Sequence, residues 1–193
     1  MRTRTAAAIA ATLLLALTGC SGGGDDKPKA RSSTKAPSTT PAKASPTPTQ
    51  AGPLAFGKTL TVPDSEDGTV ATATVLGYEQ GSMKAATTAD EEFGTTGYVW
   101  AVLELKVCST KGSVGITRYP WVLAYADGSR IEPSGTTYDD LPKPEYPHEA
   151  MIKEGDCVRG KTVFAVPDKQ RPERVLYTTE LFTTPPEWSV PKA

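Results

Sequence analysis

Three cysteines (Cys20, Cys108 and Cys157), a single histidine (His148) and three carboxylate clusters are the residues of this chain whose types could do chemistry. His148 stands among Pro144, Tyr146, Pro147 and Glu149. A Ser-His-Asp or Cys-His arrangement needs a nucleophile beside the base and a third group to orient it. No nucleophile motif accompanies this histidine. Zinc and copper sites draw on several His or Cys ligands, which one histidine cannot supply. The carboxylates fall at Asp64-Ser65-Glu66-Asp67-Gly68, Asp90-Glu91-Glu92 and Asp139-Asp140. Oxygen-rich loops can bind calcium, but the first cluster lacks EF-hand spacing, and Asp with Gly is ordinary turn chemistry. Nothing in the pattern sets two carboxylates across a cleft, as glycoside hydrolysis requires. The expectation is a protein that is not an enzyme and uses no metal or cofactor.

Cys20 carries a different chemistry. It follows a basic start (Arg2, Arg4), an apolar run over residues 6–17 and the tetrad Leu17-Thr18-Gly19-Cys20. A basic n-region, a short apolar stretch and small residues at the cut make a secretory signal peptide. The run is shorter than the roughly 20 apolar residues that span a bilayer. The tetrad resembles the bacterial lipobox, in which the Cys thiol is acylated and becomes the first residue of the mature chain. Residues 1–19 are thus expected to be a lipoprotein signal peptide, and Cys20 the lipidation site that holds the protein in the bilayer. Three cysteines in an exported chain would leave one odd thiol. Acylation of Cys20 removes it, and an oxidising compartment makes a Cys108–Cys157 disulfide the default.

Composition sets the elements that must carry these residues. Residues 21–50 contain no aromatic residue and no Leu, Ile, Val or Phe. Such a segment cannot bury enough apolar surface to offset its chain entropy. Residues 20–52 read as a disordered Ser/Thr/Pro/Gly-rich tether reaching between about 30 and about 90 Å. Residues 53–193 are long enough for one domain with its own core. From Ala51 onward the chain has 14 Lys and Arg against 20 Asp and Glu, a net −6. Phosphate backbones are held by Lys and Arg, so nucleic acid is not an expected partner.

The domain alternates rather than spirals. Over residues 98–108 the odd positions are Val99, Ala101, Leu103, Leu105 and Val107, with Glu104 and Lys106 between them. Over residues 157–166, Val158, Gly160, Thr162, Phe164 and Val166 alternate with Arg159 and Lys161. A period of two marks strands with one face buried. Further strands are predicted over 58–62, 69–78, 116–125, 130–132, 173–178 and 188–190, with a hairpin at Asp127-Gly128. Residues 83–93 allow at most one helical turn. Trp121 and Trp188 belong in the core. About seven or eight short strands separated by Gly/Pro turns make an all-β, immunoglobulin-like antiparallel β-sandwich.

Both domain cysteines share parity with the wetter faces of their strands, which predicts a bridge across neighbouring antiparallel strands. That pairing sets Glu104 opposite Lys161, Val102 opposite Val163 and Leu103 opposite Thr162, combinations a ladder favours. It also sets Lys106 opposite Arg159, with Glu104 on the diagonal to soften the repulsion.

Three stretches then follow a known order: Val99-Trp100-Ala101-Val102-Leu103-Glu104-Leu105-Lys106-Val107-Cys108, the run from Trp121 to Asp127-Gly128, and the run from Glu154-Gly155 through Gly160, Phe164 and Pro167. The order resembles the telokin-like, immunoglobulin-like domains of unknown function found in lipoproteins and secreted antigens of Gram-positive, actinobacterial-type bacteria. That pattern has a long strand ending in Asn, a strand closing on Asp-Gly, a Pro-Gly-Glu turn and Gly-x-x-x-Phe-x-x-Pro. The likeness covers residues 56–178. It departs at Cys108, where the family has Asn, and at Cys157 after the turn, a matched pair of changes. The resemblance implies a fold and an extracytoplasmic location, and no activity.

Residues 134–149 are the most unusual stretch, with Tyr138, Tyr146, His148, Pro142, Pro144 and Pro147 between two strands. Loops of this length are often functional and Tyr suits contact surfaces. Tyr138, Tyr146 and His148 are therefore the candidate interaction residues. A proline-rich cover for a sheet edge is the other reading. The expected function is binding to an envelope protein, a cell-wall component or a small exported ligand. The alternative is a structural or accessory subunit of an envelope assembly, serving transport or signalling.

Overall fold

The computed structural model describes residues 52–63 and 68–192. The expected signal peptide, the expected lipidation site Cys20, most of the expected tether and the Asp64–Asp67 carboxylates lie outside the described residues. In chain order the elements are β1 (Thr59–Pro63), β2 (Val70–Gln80), α1 (Ala89–Phe93), β3 (Tyr98–Lys111), β4 (Val114–Thr117) and β5 (Trp121–Ala124). They continue with β6 (Arg130–Ile131), β7 (Glu149–Ile152), β8 (Cys157–Pro167), β9 (Arg174–Tyr177) and β10 (Glu187–Ser189). One four-stranded sheet has the order β1-β2-β3-β8, a second β10-β9-β5-β6, and β4 pairs with β7 alone. Neighbouring strands are antiparallel throughout. This is the β-sandwich that alternation predicts.

Among the described residues ten strands stand where seven or eight are expected, for two reasons. The single run predicted over 116–125 breaks at Pro120, which has no N–H for a ladder. Its halves, β4 and β5, join different sheets. Strand β7 takes up the last residue of the long loop and pairs Ala150 with Ile116.

The β3–β8 ladder has the register set by the cysteines: Glu104 faces Lys161, Val102 faces Val163, Leu103 faces Thr162 and Cys108 faces Cys157. The disulfide closes with an S–S distance of 2.08 Å. Lys106 does face Arg159, and the Arg159 guanidinium turns to Glu104, Nη2 to Oε1 2.7 Å. That pair is exposed, so it removes a repulsion rather than adding much stability.

Leu103, Leu105, Phe164, Val166 and Val75 from the first sheet meet Trp121, Leu123, Val175 and Trp188 from the second, all fully buried. Each such side chain contributes roughly 1.5–3 kcal/mol on burial. Trp121 packs edge-on to Tyr177 at 4.8 Å and tilted against Trp188 at 5.7 Å. Trp188 keeps its indole N–H satisfied on Lys58 O at 2.9 Å.

The second face of β3 is not uniformly wet. Glu104, Lys106 and Cys108 face water or its margin, but Trp100 and Val102 are buried with Ala89, Leu141 and Val163. Helix α1 and the long loop cover this end. Thr88-Ala89-Asp90-Glu91 forms a capping box. The Thr88 hydroxyl accepts from Glu91 N–H at 3.2 Å, and Glu91 accepts from Thr88 N–H at 2.9 Å. These bonds satisfy two orphan donors of the first turn, and Gly94 closes the turn in the left-handed region at φ 58°.

Candidate functional site

The long loop is positioned by β8, the outer strand of the first sheet. Ser134 N–H donates to Val163 O at 2.8 Å, and Lys161 N–H donates to Pro144 O at 2.8 Å. Tyr146 N–H returns to Lys161 O, also at 2.8 Å. Residues 144–146 thus sit on the sheet as a short parallel bridge centred on Glu145 and Lys161. Backbone groups that would otherwise template another strand are satisfied. The edge-cover reading is therefore correct for the loop's backbone.

The close approach depends on Gly160. A Cβ there would stand 2.5 Å from Tyr146 N and 2.7 Å from Glu145 C. The Gly that opens Gly160-x-x-x-Phe164-x-x-Pro167 has here a spatial reason, the passage of a second backbone.

Arg118, in the turn between β4 and β5, clamps the loop from the other side. Its side chain is 3% exposed. Nε and Nη2 donate to Tyr146 O at 2.8 and 2.5 Å, and Nη2 reaches Glu145 Oε1 at 2.6 Å. Lys143 Nζ holds the other Glu145 oxygen at 3.2 Å. Desolvation pushes the Glu145 carboxyl up, but the hydrogen bonds from Arg118 and Lys143 outweigh it and hold the group below its ordinary range. Arg118→Met keeps the volume and removes the donors, leaving the Tyr146 carbonyl without its guanidinium. We expect a loss of about 1–3 kcal/mol, read as a lower denaturation midpoint with an unchanged slope against denaturant.

Helix α1 pins the start of the loop. Glu92 accepts from the hydroxyls of Thr136 and Tyr138. The Thr136 bond, then that from Tyr138, lowers the Glu92 pKa, and Glu92 in turn raises that of Tyr138. Asp140 Oδ2 accepts from Ala86 N–H at 2.5 Å. Between these anchors lies an open cleft of about 470 Å³, with Arg118 and Glu145 at its base and Tyr138, Asp139, Lys143 and His148 around it.

The structure brings Tyr138 and His148 to the same cleft, each partly exposed. Tyr146 must be corrected. Its side chain is 1% exposed and belongs to the main core, so its ring cannot form a contact surface. Burial by both sheets outcompetes the loop position that made it look accessible. Sequence reasoning missed Arg118, whose only signal was a lone cation inside an otherwise apolar strand run.

Among the described residues no three His, Cys, Asp or Glu side chains converge to hold a metal ion. Asp90 is occupied by backbone N–H groups of Tyr98 at 2.8 Å and Gly97 at 3.0 Å and by the Thr95 hydroxyl, which lower its pKa. Both charge signs and neutral donors surround the cleft, which suits recognition of a polar partner through hydrogen bonds.

No family model matches the chain, and no curated protein matches it. Two solved structures are similar to it. A secreted protein from Mycobacterium tuberculosis, MPT63, is 19% identical over 72% of this chain and 99% of its own, with a TM-score of 0.54. The likeness is one of fold. The yjhA protein from Bacillus subtilis is 13% identical over the same shares, with a TM-score of 0.47. Among the described residues no helix is long and apolar enough to cross a membrane.

Proposed function

We propose that this protein is a lipoprotein anchored through acylated Cys20 on the outer side of the cell membrane, as in the telokin-like lipoproteins and antigens its motifs resemble. Its sandwich is a binding module for an envelope protein or cell-wall component and carries out no reaction of its own. The observation that carries the location is the pairing of Cys108 with Cys157. A disulfide suits an oxidising compartment, and it leaves Cys20, directly behind Leu17-Thr18-Gly19, as the one cysteine available for lipid. The fold likeness to a secreted protein agrees with export.

The recognition face is the cleft around Tyr138, Lys143 and His148. Arg118 and β8 hold its frame rigid, which lowers the entropy lost on association.

Cys20→Ser should move the protein from the membrane fraction to the medium and abolish palmitate labelling. Retention of the variant in the membrane would exclude the anchor. For the binding face, crosslinking in cells should capture a partner with the native chain and lose it with Lys143→Glu combined with His148→Ala. Both changes leave the Gly160 contact and the Arg118 bonds to Tyr146 O in place, and Lys143→Glu removes only the exposed Lys143–Glu145 pair, so a matching melting temperature is the control. Capture undiminished by the double variant would put the contact elsewhere on the sandwich.

A further inference from the structure

The chain covers two of its sheet edges and leaves a third bare. β8 is covered by the loop, through Ser134 and residues 144–146. β10 is covered by Leu54, which donates to Glu187 O and accepts from Ser189 N–H, both at 2.8 Å. β6, the far edge of the second sheet, carries no backbone on its outer side among the described residues. An open cleft runs beside it, with Phe93, Tyr98 and Ala165 in its wall.

The ladder shows which groups that edge presents. Tyr125 N–H donates to Ser129 O at 3.0 Å across the Asp127-Gly128 hairpin. Hydrogen-bonded pairs recur at every second residue of an antiparallel ladder, so Ile131 bonds to Leu123 opposite it. The N–H and C=O of Arg130 then point away from β5. Those of Glu132 do the same, because Pro133 holds the residue before it extended. Both side chains lie on the outer face of the sheet, and both residues are exposed. Neither has an ion-pair partner among the described residues. Ile131 turns the other way, half-buried against the core.

Charges on an edge strand ordinarily oppose pairing. This edge differs, because Arg130-Ile131-Glu132 is its own complement. A second copy laid antiparallel, with Ile131 against its own counterpart, sets Arg130 opposite Glu132 of that copy, twice by symmetry. These are the residues whose backbone groups face outward, so both pairs close with hydrogen bonds. Pro133 falls in an unbonded pair, where its missing N–H costs nothing. Opposite charges directly across a ladder favour pairing and like charges oppose it.

We infer that β6 is a self-recognition edge, at which two copies of this chain pair antiparallel about Ile131 and join their second sheets into one. The contact is isologous, so it closes at a dimer. It is also short, well under a standard interface in area, so the pairing is weak and reversible. The inference needs neither the lipid anchor nor the Tyr138–Lys143–His148 face.

The test is sedimentation equilibrium of the full exported chain carrying Cys20→Ser, at concentrations up to about 1 mM, enough to populate a millimolar dimer. With β6 unaltered, the chain should show a monomer–dimer equilibrium. Arg130→Glu sets carboxylate against carboxylate at both pairs, and Glu132→Arg sets guanidinium against guanidinium. Each alone should weaken the dimer at least about tenfold. Mixed in equal amounts, the two single variants should pair with one another, since every cross-strand contact is again opposite in sign. Both substitutions in one chain should restore the homodimer. Recovery on mixing separates a lost contact from a damaged fold. A chain monomeric at every concentration would leave this edge to a strand of some other protein and overturn the inference. So would single variants that dimerise undiminished, or a mixture of them that stays monomeric. If either single variant fails to fold, the double variant decides, and its failure to dimerise would overturn the inference.

Discussion

Replacing Cys108 and Cys157 together by serine will lower the melting temperature by about 10–15 °C, with the native circular dichroism retained at 20 °C. The bridge joins residues 49 apart in sequence. In the chain-entropy model, closing such a loop stabilises the fold by about 4 kcal/mol. For a domain of this size, each kcal/mol moves the midpoint by roughly 3–4 °C. Cys157 is exposed and Cys108 only partly buried, so the substitution removes almost no core packing and acts chiefly on the unfolded chain. The β3–β8 ladder remains, running from Tyr98 opposite Pro167 to Val107 opposite Val158, and that is why the folded signal persists. A reducing agent should reproduce the shift in the unsubstituted protein and do nothing to the double variant. Melting unchanged in both experiments would mean that the unfolded ensemble is already compact around these strands.

Gly160→Ala should cost about 2–4 kcal/mol, a large share of a typical domain stability of 5–15 kcal/mol. The added Cβ would stand 2.5 Å from Tyr146 N and 2.6 Å from Tyr146 Cα. These are backbone atoms, which cannot swing aside as a side chain would. The segment 144–146 must lift from β8, and three interactions fail together. Lys161 N–H loses Pro144 O, and Tyr146 N–H loses Lys161 O. Arg118, a buried cation, loses the Tyr146 carbonyl. Unpaired buried groups cost more than the bonds they formed were worth. Besides the melting shift, amide hydrogens of Lys161 and Tyr146 should exchange faster, while those of the β2–β3 ladder keep their protection. Wild-type exchange at both amides would mean that the loop accommodates the methyl by moving as a unit.

The two variants separate what was legible in the sequence from what was not. The disulfide and its register were legible because period-two patterning fixes which face each residue takes. Two cysteines of matching parity then leave one alignment of β3 on β8, down to Arg159 reaching diagonally to Glu104. The capping box of α1 was also present as Thr88-Ala89-Asp90-Glu91, a local signal that went unused. By contrast, Gly160 read as one small residue on the inner face and as the first residue of Gly-x-x-x-Phe-x-x-Pro, and neither reading says why glycine is required. Its requirement comes from residues 145–146, brought there by the tertiary fold. Arg118 read as a polar position in a strand, and only the folded chain shows it buried between the loop and β4.

Tyr146 marks the boundary most clearly. Composition and spacing determined that the domain is an alternating, cysteine-pinned sandwich, because those properties depend on neighbours within a few residues or on one covalent pairing. Whether a loop tyrosine faces a partner or the core depends on which distant surfaces enclose it. Here residues of both sheets enclose its ring in the main core. The same closure placed Tyr138 and His148 around the cleft. Burial is a property of the whole packed chain, so the tertiary structure alone could decide it.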